Sequence, residues 1–335
     1  MNTIIKKFCF ITIALAFFAV PWIWSPAKNW APGLAVLIGI IFSITCGNPF
    51  SKQTSKITSK LLGLTIVGMG FGMNLLEVLH AGANGFLYTF IGISLGLGLG
   101  VILGKTLKVT KNTAYLVSVG TSICGGSAIA AAAPVLKAKA HEIALASATV
   151  FLLNAVALWI FPIIGEALDF SQHQFGYWAA LAIHDTSSVV GATMAYGNEA
   201  LEIGTTVKLA RALWIVPVTL FISLTAADRS NDEEKKFSLR IPWFIPYFLL
   251  ASAAVSFLPD LIPGCENIVK SCGAFIKEIS KFLMITTLFL IGSNLNREKL
   301  KELGLRPIFQ GLILWITLSV IWCLAIHFDL VNCVK

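Results

Sequence analysis

Charged residues are scarce in this sequence of 335 residues: Asp, Glu, Lys and Arg make up 13% of it, whereas 56% is hydrophobic. Soluble domains carry about a quarter charged residues, so the composition excludes an ordinary soluble domain. Apolar runs of about 20 residues, each long enough to cross a bilayer as a helix, recur along nearly the whole chain. The sequence therefore predicts an all-α integral membrane protein that forms one polytopic domain over residues 1–335.

Sequence motifs of several catalytic classes are also lacking. The seven cysteines include no CxxC pair, and neither an HExxH nor a GxSxG motif is present. No phosphate-binding P-loop occurs, which argues against an ATP-driven pump within this chain. His184, Asp185 and Ser188 could be imagined as a catalytic group, but neighbours in sequence rarely form a triad. We expect no enzyme activity, no catalytic residue, no cofactor and no metal site.

The formal net charge of +8 does not point to nucleic acid, because the basic residues lie in short loops rather than in an aromatic-studded patch. If the N-terminus is cytoplasmic and every element spans, 16 of the basic residues in loops and tails lie inside and seven outside, as the positive-inside rule requires. The apolar run 8–20 follows Lys6 and Lys7 like a signal peptide, but an uncleaved first helix fits this hydrophobic chain better. We expect a multi-pass protein of the bacterial inner membrane with a cytoplasmic N-terminus.

About nine to eleven membrane elements are expected. The apolar runs lie near 8–24, 32–46, 61–80, 84–104, 113–136, 141–165, 176–197, 203–226, 241–258, 279–296 and 306–328. Two of them, 113–136 and 176–197, carry polar interruptions. Were both re-entrant hairpins instead of spans, they would enter from opposite faces and the count of basic residues would become 18 inside and five outside. Interrupted spans and re-entrant hairpins both remain open at this point.

A short internal echo suggests an inverted repeat. Gly72-Met73-Asn74-Leu75 ends the third predicted element, and Gly292-Ser293-Asn294-Leu295 ends the tenth. These two helices run in opposite directions under either topology, as inverted repeats of membrane transporters do. Chance similarity between apolar helices is the alternative. The echo makes Asn74 and Asn294 candidate binding residues.

The first interruption, within the run GTSICGGSAIAA at 120–131, places two glycines and three hydroxyls inside an apolar element. Glycine weakens a helix by about 1 kcal/mol relative to alanine, so the pair favours an unwound break. Ser127 is expected to cap a new half-helix, whose free N–H groups suit an anion. Close helix packing through small residues is the alternative. The candidate binding residues in this run are Thr121, Ser122, Cys124, Gly125, Gly126 and Ser127.

The second interruption is the run HDTSSVVGA at 184–192. An aspartate in the hydrocarbon layer costs about 2.5–3.5 kcal/mol on insertion scales, so Asp185 is a functional candidate. Asp185 or Ser187 could cap a second half-helix, Asp185 could carry a coupling proton, and His184 could relay it. The alternative is that Asp185 is only a cap and His184 a packing residue. The candidate binding residues here are His184, Asp185, Thr186, Ser187 and Ser188.

Lys208 and Arg211 lie three residues apart and therefore on one face of a predicted helix. Two buried cations need partners: either Asp185, in a structural ion pair, or an anionic solute, for which the planar donor fork of Arg is well suited. Lys208 could instead snorkel to the surface. His141, Glu142 and Asn154 are candidates of second rank.

The two interrupted runs GTSICGGSAIAA and HDTSSVVGA, together with the later segment VKLARALWIVP that holds Lys208 and Arg211, resemble the YeiH-type membrane protein family. That family carries a sulfate-exporter label. The resemblance spans essentially the whole chain and is most specific over 113–220. It implies a fold related to the sodium/proton antiporters and bile-acid symporters, with inverted repeats whose discontinuous helices meet near the bilayer midplane. The motif residues that it implies are Thr121, Ser122, Cys124, Gly125, Gly126, His184, Asp185, Thr186, Lys208 and Arg211.

The expected function is secondary transport of a small, sulfate-like or organic anion by alternating access, within the lipid bilayer and coupled to H⁺ or Na⁺. An intramembrane enzyme or an anion channel is the alternative. Substrate, coupling ion, direction and oligomeric state, a homodimer included, are not fixed by the sequence. A disulfide between Cys265 and Cys272 and two free thiols are equally compatible with it.

Overall fold

The computed structural model describes residues 3–23, 27–214, 217–218, 221, 243–262, 264, 266–294 and 304–331, and this part of the chain consists of helices joined by short turns, without strands. Its helices are α1 Thr3–Ile23, α2 Ala27–Cys46, α3 Ser51–Gly70, α4 Leu75–Thr106, α5 Lys111–Ser122, α6 Gly126–Val135, α7 Ala140–Ala167, α8 Gln172–Ala182, α9 Thr186–Tyr196, α10 Asn198–Ala212, α11 Phe244–Leu261, α12 Glu266–Ser293 and α13 Leu305–His327. The predicted all-α class is confirmed.

Four of these helices, α4, α7, α11 and α13, are long and apolar enough to cross a membrane. Their outer faces carry large exposed apolar side chains, such as Leu87 on α4 and Leu250 on α11, which are 61% and 64% exposed. Apolar surface of this extent needs hydrocarbon around it rather than water. The protein is therefore built as a multi-pass helical membrane protein.

Helices α5 and α6 form a re-entrant hairpin. The amide of Asn112, at the start of α5, donates to the Glu142 carboxylate at 3.1 Å, and the same oxygen accepts from the Lys139 backbone N–H at 2.8 Å. Lys139 follows α6, so the chain leaves the hairpin close to where it came in. Gly120 and Ile129, on opposite arms, pack against each other. The predicted element 113–136 therefore turns back instead of spanning.

Helices α8 and α9 form a second re-entrant hairpin. Phe175 in the first arm stacks on Tyr196 at the end of the second, with ring centroids 3.8 Å apart. The side-chain oxygen of Gln172, at the start of α8, accepts from the backbone N–H of Glu199, just beyond α9, at 3.0 Å. The two outer ends are thus adjacent, and the element 176–197 also turns back.

The two hairpins approach from opposite ends of α7. The open end of α5–α6 lies at the start of α7, beside Glu142, whereas the open end of α8–α9 lies near its other end, where Gly165 packs against Phe175. Both tips reach the middle of α7: Gly126 packs on Phe151, and the His184 backbone N–H donates to the Asn154 side chain at 3.2 Å. Of the two alternatives that the sequence left open, the structure has the pair of opposed hairpins.

The described helices divide into two bundles. The core bundle comprises α4–α10 and α13, and the scaffold bundle comprises α1–α3, α11 and α12. Within the scaffold, α2 and α12 approach closely because Gly39 and Gly292 lie against the partner helix's backbone. Contact between the bundles is sparser and lies mainly where α2 and α12 meet α9. This interface is where the candidate site is found.

The scaffold also bears on the predicted repeat. Helices α3 and α12 are antiparallel, because Thr54 bonds Asn294 at 2.7 Å whereas Thr65 contacts Met284. Gly72-Met73-Asn74 and Gly292-Ser293-Asn294, the described parts of the two echoed segments, therefore lie at opposite ends of an antiparallel pair, as an inverted repeat predicts.

The structure differs from the predicted element 61–80. Helix α3 runs from Ser51 to Gly70, the chain turns at 71–74, and α4 begins at Leu75 with Asn74 as its cap, whose side chain accepts from the Leu76 N–H at 2.8 Å. The prediction missed this turn because the apolar run continues through it. The ends of the predicted elements at 226, 241 and 296 lie outside the described residues.

Candidate functional site

A cavity of about 290 Å³ lies between the two bundles at the tips of both hairpins. The core bundle lines it with Gly126, Ser127, Phe151, Asn154, Ala155, Asp185, Ser187 and Ser188. The scaffold bundle lines it with Val36, Thr58, Leu62, Leu288, Ile291 and Asn294. The sequence-predicted residues that meet here are therefore Gly126, Ser127, Asp185, Ser187, Ser188 and Asn294.

The tip of the first hairpin depends on Gly125. Its φ of +67° is a backbone conformation that residues with a side chain rarely adopt. A Cβ added to Gly125 would also lie 3.3 Å from the Cβ of Asp185. Gly125 occupies the cap position of α6, so the prediction that Ser127 caps this half-helix is wrong: Ser127 lies in the first turn. Without a side-chain cap, α6 presents its positive end to the cavity at Gly126 and Ser127.

The tip of the second hairpin depends on Asp185, which caps α9 as predicted. Its carboxylate accepts from the Ser187 backbone N–H at 3.0 Å and from the Ser187 hydroxyl. Ser187 and Ser188 are 2% and 8% exposed, so the first turn of α9 is almost dry apart from its cavity face. The carboxyl of Asp185 and the hydroxyl-bearing residues Ser127, Ser187 and Ser188 thus lie on the core side of one small cavity.

Asn154 contributes a buried amide from the middle of α7. It is 2% exposed, its side-chain oxygen accepts from the His184 backbone, and its side-chain nitrogen has no hydrogen-bond partner among the described residues. A buried donor without an acceptor is costly, so a cavity-lining one is a natural contact for a bound acceptor. The sequence ranked Asn154 second; its signal was an amide in the middle of an apolar helix.

Arg211 is 1% exposed and turned away from the cavity. Its guanidinium donates to the Ser122 carbonyl at 3.0 Å and to the Ala180 and Leu181 carbonyls at 3.1 and 2.5 Å. These carbonyls end α5 and α8, where the helix dipoles place negative charge. The expectation that Arg211 contacts the solute is therefore corrected: it joins both hairpins to α10.

Lys208 is also fully buried, and it joins only the second hairpin to α10. Its ammonium donates to the Ile183 carbonyl at 2.6 Å and lies 3.4 Å from the Ala180 carbonyl. Among the described residues, no ion pair links either cation to Asp185, contrary to one sequence alternative. Lys208 does not snorkel either.

The remaining candidate residues lie outside the cavity lining. Behind the hairpin tips are Thr121, Ser122, Cys124, His184 and Thr186, all buried. Neither ring nitrogen of His184 has a hydrogen-bond partner in the described part of the chain.

The two asparagines of the echoed segments lie in different places. Asn294 lines the cavity, accepts from Thr54 and donates to Thr58 at 3.3 Å. Asn74 is exposed at the start of α4, so it does not join the site. Of the proposed cysteine pair, Cys272 is exposed on α12 and Cys265 lies outside the described residues.

Comparison with known proteins gives the family. The family profile described as Conserved hypothetical protein 698 matches residues 7–311. A UPF0324 membrane protein of Bdellovibrio bacteriovorus is 48% identical over 285 residues, 85% of either chain. A UPF0324 membrane protein of Geobacter sulfurreducens is 44% identical over 315 residues, 94% of either chain. No solved structure matches. The chain therefore belongs to the Conserved hypothetical protein 698 family of UPF0324 membrane proteins, the YeiH-type family that its motifs resemble.

Proposed function

We propose that this protein is a secondary transporter that carries a small anion across the inner membrane by alternating access. The observation that carries the proposal is the position of the cavity: it lies in the interface between two helix bundles, and both bundles line it. A site between two bodies is exposed to one side or the other as the bodies shift. The hairpin tips belong to the core bundle, which would move as a unit because α10 holds both of them.

Polar contacts between α10 and α12 join the core bundle to the scaffold bundle, which supports a closed side of the interface. Lys277 forms an ion pair with Glu202 of α10, and Lys281 donates to Asn198 at 2.8 Å. We call these contacts the α10–α12 latch. Asn294, at the cavity, lies 17 residues further along α12, which corresponds to about 25 Å. The latch would close the interface at the end remote from Asn294.

Breaking the latch should change the rate of transport. We expect Glu202→Gln and Lys277→Gln each to alter anion exchange in liposomes by about two- to fivefold, because the pair stabilises one of the two states. The double variant should behave like either single variant. The matched control is the Lys270–Glu266 pair on the same helix, 67% and 61% exposed, whose removal should change nothing. Additive effects of the two latch variants would contradict this role.

The lining supports an anion as the solute. The uncapped start of α6 offers donors at the cavity, and Asn154, whose side-chain nitrogen has no partner among the described residues, also lines it. An ionised Asp185 would repel an anion about 4 Å away by roughly 4 kcal/mol at an effective dielectric constant of 20. A protonated Asp185 would not repel it and would itself donate. Anion and proton binding should therefore favour each other, and we propose proton coupling.

Orientation follows from the hairpins and the basic residues. With both hairpins re-entrant, 18 of the basic residues in loops and tails lie inside and five outside when the N-terminus is cytoplasmic. We propose this orientation. The α5–α6 hairpin then enters from the cytoplasm and the α8–α9 hairpin from the opposite side.

A non-enzymatic role agrees with the geometry of the polar residues. The Ser187 hydroxyl bonds the Asp185 cap, and the ring nitrogens of His184 have no partner in the described segments. A serine bonded to a histidine base that a carboxylate orients, as in Ser-His-Asp acyl transfer, is thus not formed by these three side chains. We propose that they serve binding and transport.

The test is uptake by liposomes that contain the purified protein. Labelled sulfate and labelled benzoate are supplied separately, with and without an inward proton gradient. We expect saturable uptake of one or both, faster with the gradient, and exchange against unlabelled anion inside. Uptake that rises linearly with concentration and shows no exchange would mean a channel. Uptake no greater than in protein-free liposomes, for both anions under both conditions, would refute the proposal.

A further inference from the structure

The two bundles give the cavity walls of different chemistry. The scaffold wall is mainly apolar, with Val36, Leu62, Leu288 and Ile291 facing the space. The core wall is mainly polar, formed by the starts of α6 and α9 with Asn154 between them. A solute that fills the cavity therefore meets donors on one side and hydrocarbon on the other.

The polar wall is built for one oxyanion group. The uncapped first turn of α6, Ser127, Ser188 and Asn154 line the same space, and Asp185 beside them does not repel an anion when it is protonated. Lys208 and Arg211 are not available to it, since helix-end carbonyls occupy them. Neutral donors and one helix end suit a singly charged head better than a doubly charged one, whose desolvation costs more.

Apart from Thr58 and Asn294, which bond each other, the scaffold wall offers an inorganic anion only apolar side chains. Sulfate has oxygen on every side and would turn some of these atoms toward Leu288 and Ile291 without acceptable partners. An attached hydrocarbon body would bury against them, and each buried methylene improves affinity by about fourfold. The volume of about 290 Å³ is close to the lower end for pockets that hold organic ligands.

We propose that the substrate is an organic acid with one oxyanion head, a carboxylate or a sulfonate, and an apolar body about the size of one ring. The core bundle binds the head and the scaffold bundle contacts the body. This inference rests on the proposed function and adds the class of the solute. It also gives each bundle a separate part in recognition.

The experiment is thermal stabilisation of the purified protein by four probes: sulfate, methanesulfonate, benzenesulfonate and neutral benzyl alcohol. We expect benzenesulfonate to bind at least about tenfold more tightly than sulfate, because it alone satisfies both walls. In Leu288→Ala this preference should fall below about threefold, while sulfate binding stays unchanged. The matched control is Leu290→Ala, a buried leucine of the same helix that does not line the cavity, which should keep the preference.

The outcomes separate this inference from the function on which it rests. Sulfate as tight as benzenesulfonate would overturn the inference and leave anion transport in place. Equal binding of benzyl alcohol would also overturn it, because the head would then contribute nothing. Failure of all three anions, together with no uptake in liposomes, would remove the transport proposal as well. Benzenesulfonate binding that resists Leu288→Ala would place the apolar contact elsewhere and refute the two-wall assignment.

Discussion

Replacing Arg211 with methionine is expected to destabilise the protein more than any other single change at the hairpin tips. Methionine has a similar length but no donor, so the carbonyls of Ser122, Ala180 and Leu181 lose a shared charged partner at once. Each buried acceptor left unpaired costs about 1–3 kcal/mol. The sum is a large fraction of the 5–15 kcal/mol that typically separates folded from unfolded protein, to order of magnitude. Thermal unfolding in detergent measures it.

Two further variants make this test specific. Arg211→Lys keeps the charge but cannot reach both hairpins with a fork, so its melting temperature should lie between those of the wild type and Arg211→Met. Arg306→Met is the matched control, because Arg306 also donates to a carbonyl, that of Lys108, but on the exposed surface. Equal melting temperatures for Arg211→Met and Arg306→Met would show that the buried guanidinium does not hold the hairpins together.

Replacing Asp185 with asparagine is expected to abolish the response of transport to a proton gradient while the protein still folds. Asparagine caps helices as well as aspartate does, so α9 keeps its start. It cannot take up a proton, so the link between anion and proton is lost. We expect proton-driven uptake in liposomes to fall by about tenfold or more, with anion exchange at equal pH reduced less.

The control for this variant is Asp169→Asn. Asp169 is an exposed carboxylate between α7 and α8 with a φ of +52°, a conformation that asparagine tolerates, so both folding and transport should be unchanged. If Asp185→Asn still accumulated anion under a proton gradient, the carrier role of Asp185 would be wrong. If a sodium gradient drove the wild type and a proton gradient did not, the coupling ion would be sodium.

Parts of the site were predictable because their residues are unusual in a membrane helix. Glycines beside each other and an aspartate inside apolar runs predicted the interruptions at Gly125 and Asp185, since neither belongs in an ordinary membrane helix. Whether such a segment spans or turns back was not predictable from hydropathy, which is the same for both. The contacts that decide it, such as Phe175 on Tyr196, join residues without a shared pattern.

The partners of Arg211 and the turn before α4 were not predictable for a related reason. Backbone carbonyls exist at every residue, so the sequence cannot mark those of Ser122 or Ala180 as acceptors, and a side-chain partner or a solute was the natural expectation. The turn at 71–74 lies within continuous apolar sequence, and only Asn74 signalled it. The division into two bundles depends on which faces pack, and periodicity alone does not supply that.

The bond between Arg211 and the Ser122 carbonyl spans 89 residues, and this separation has a consequence for biosynthesis. When the α5–α6 segment leaves the ribosome, the charged donor that the Ser122 carbonyl has in the described structure has not yet been synthesised. A bare helix end is not tolerated in hydrocarbon, so this hairpin cannot settle at its final depth before α10 arrives. The α5–α6 segment therefore has to remain in a more hydrated environment until α10 is made. Both hairpins then take up their final positions together, late in translation.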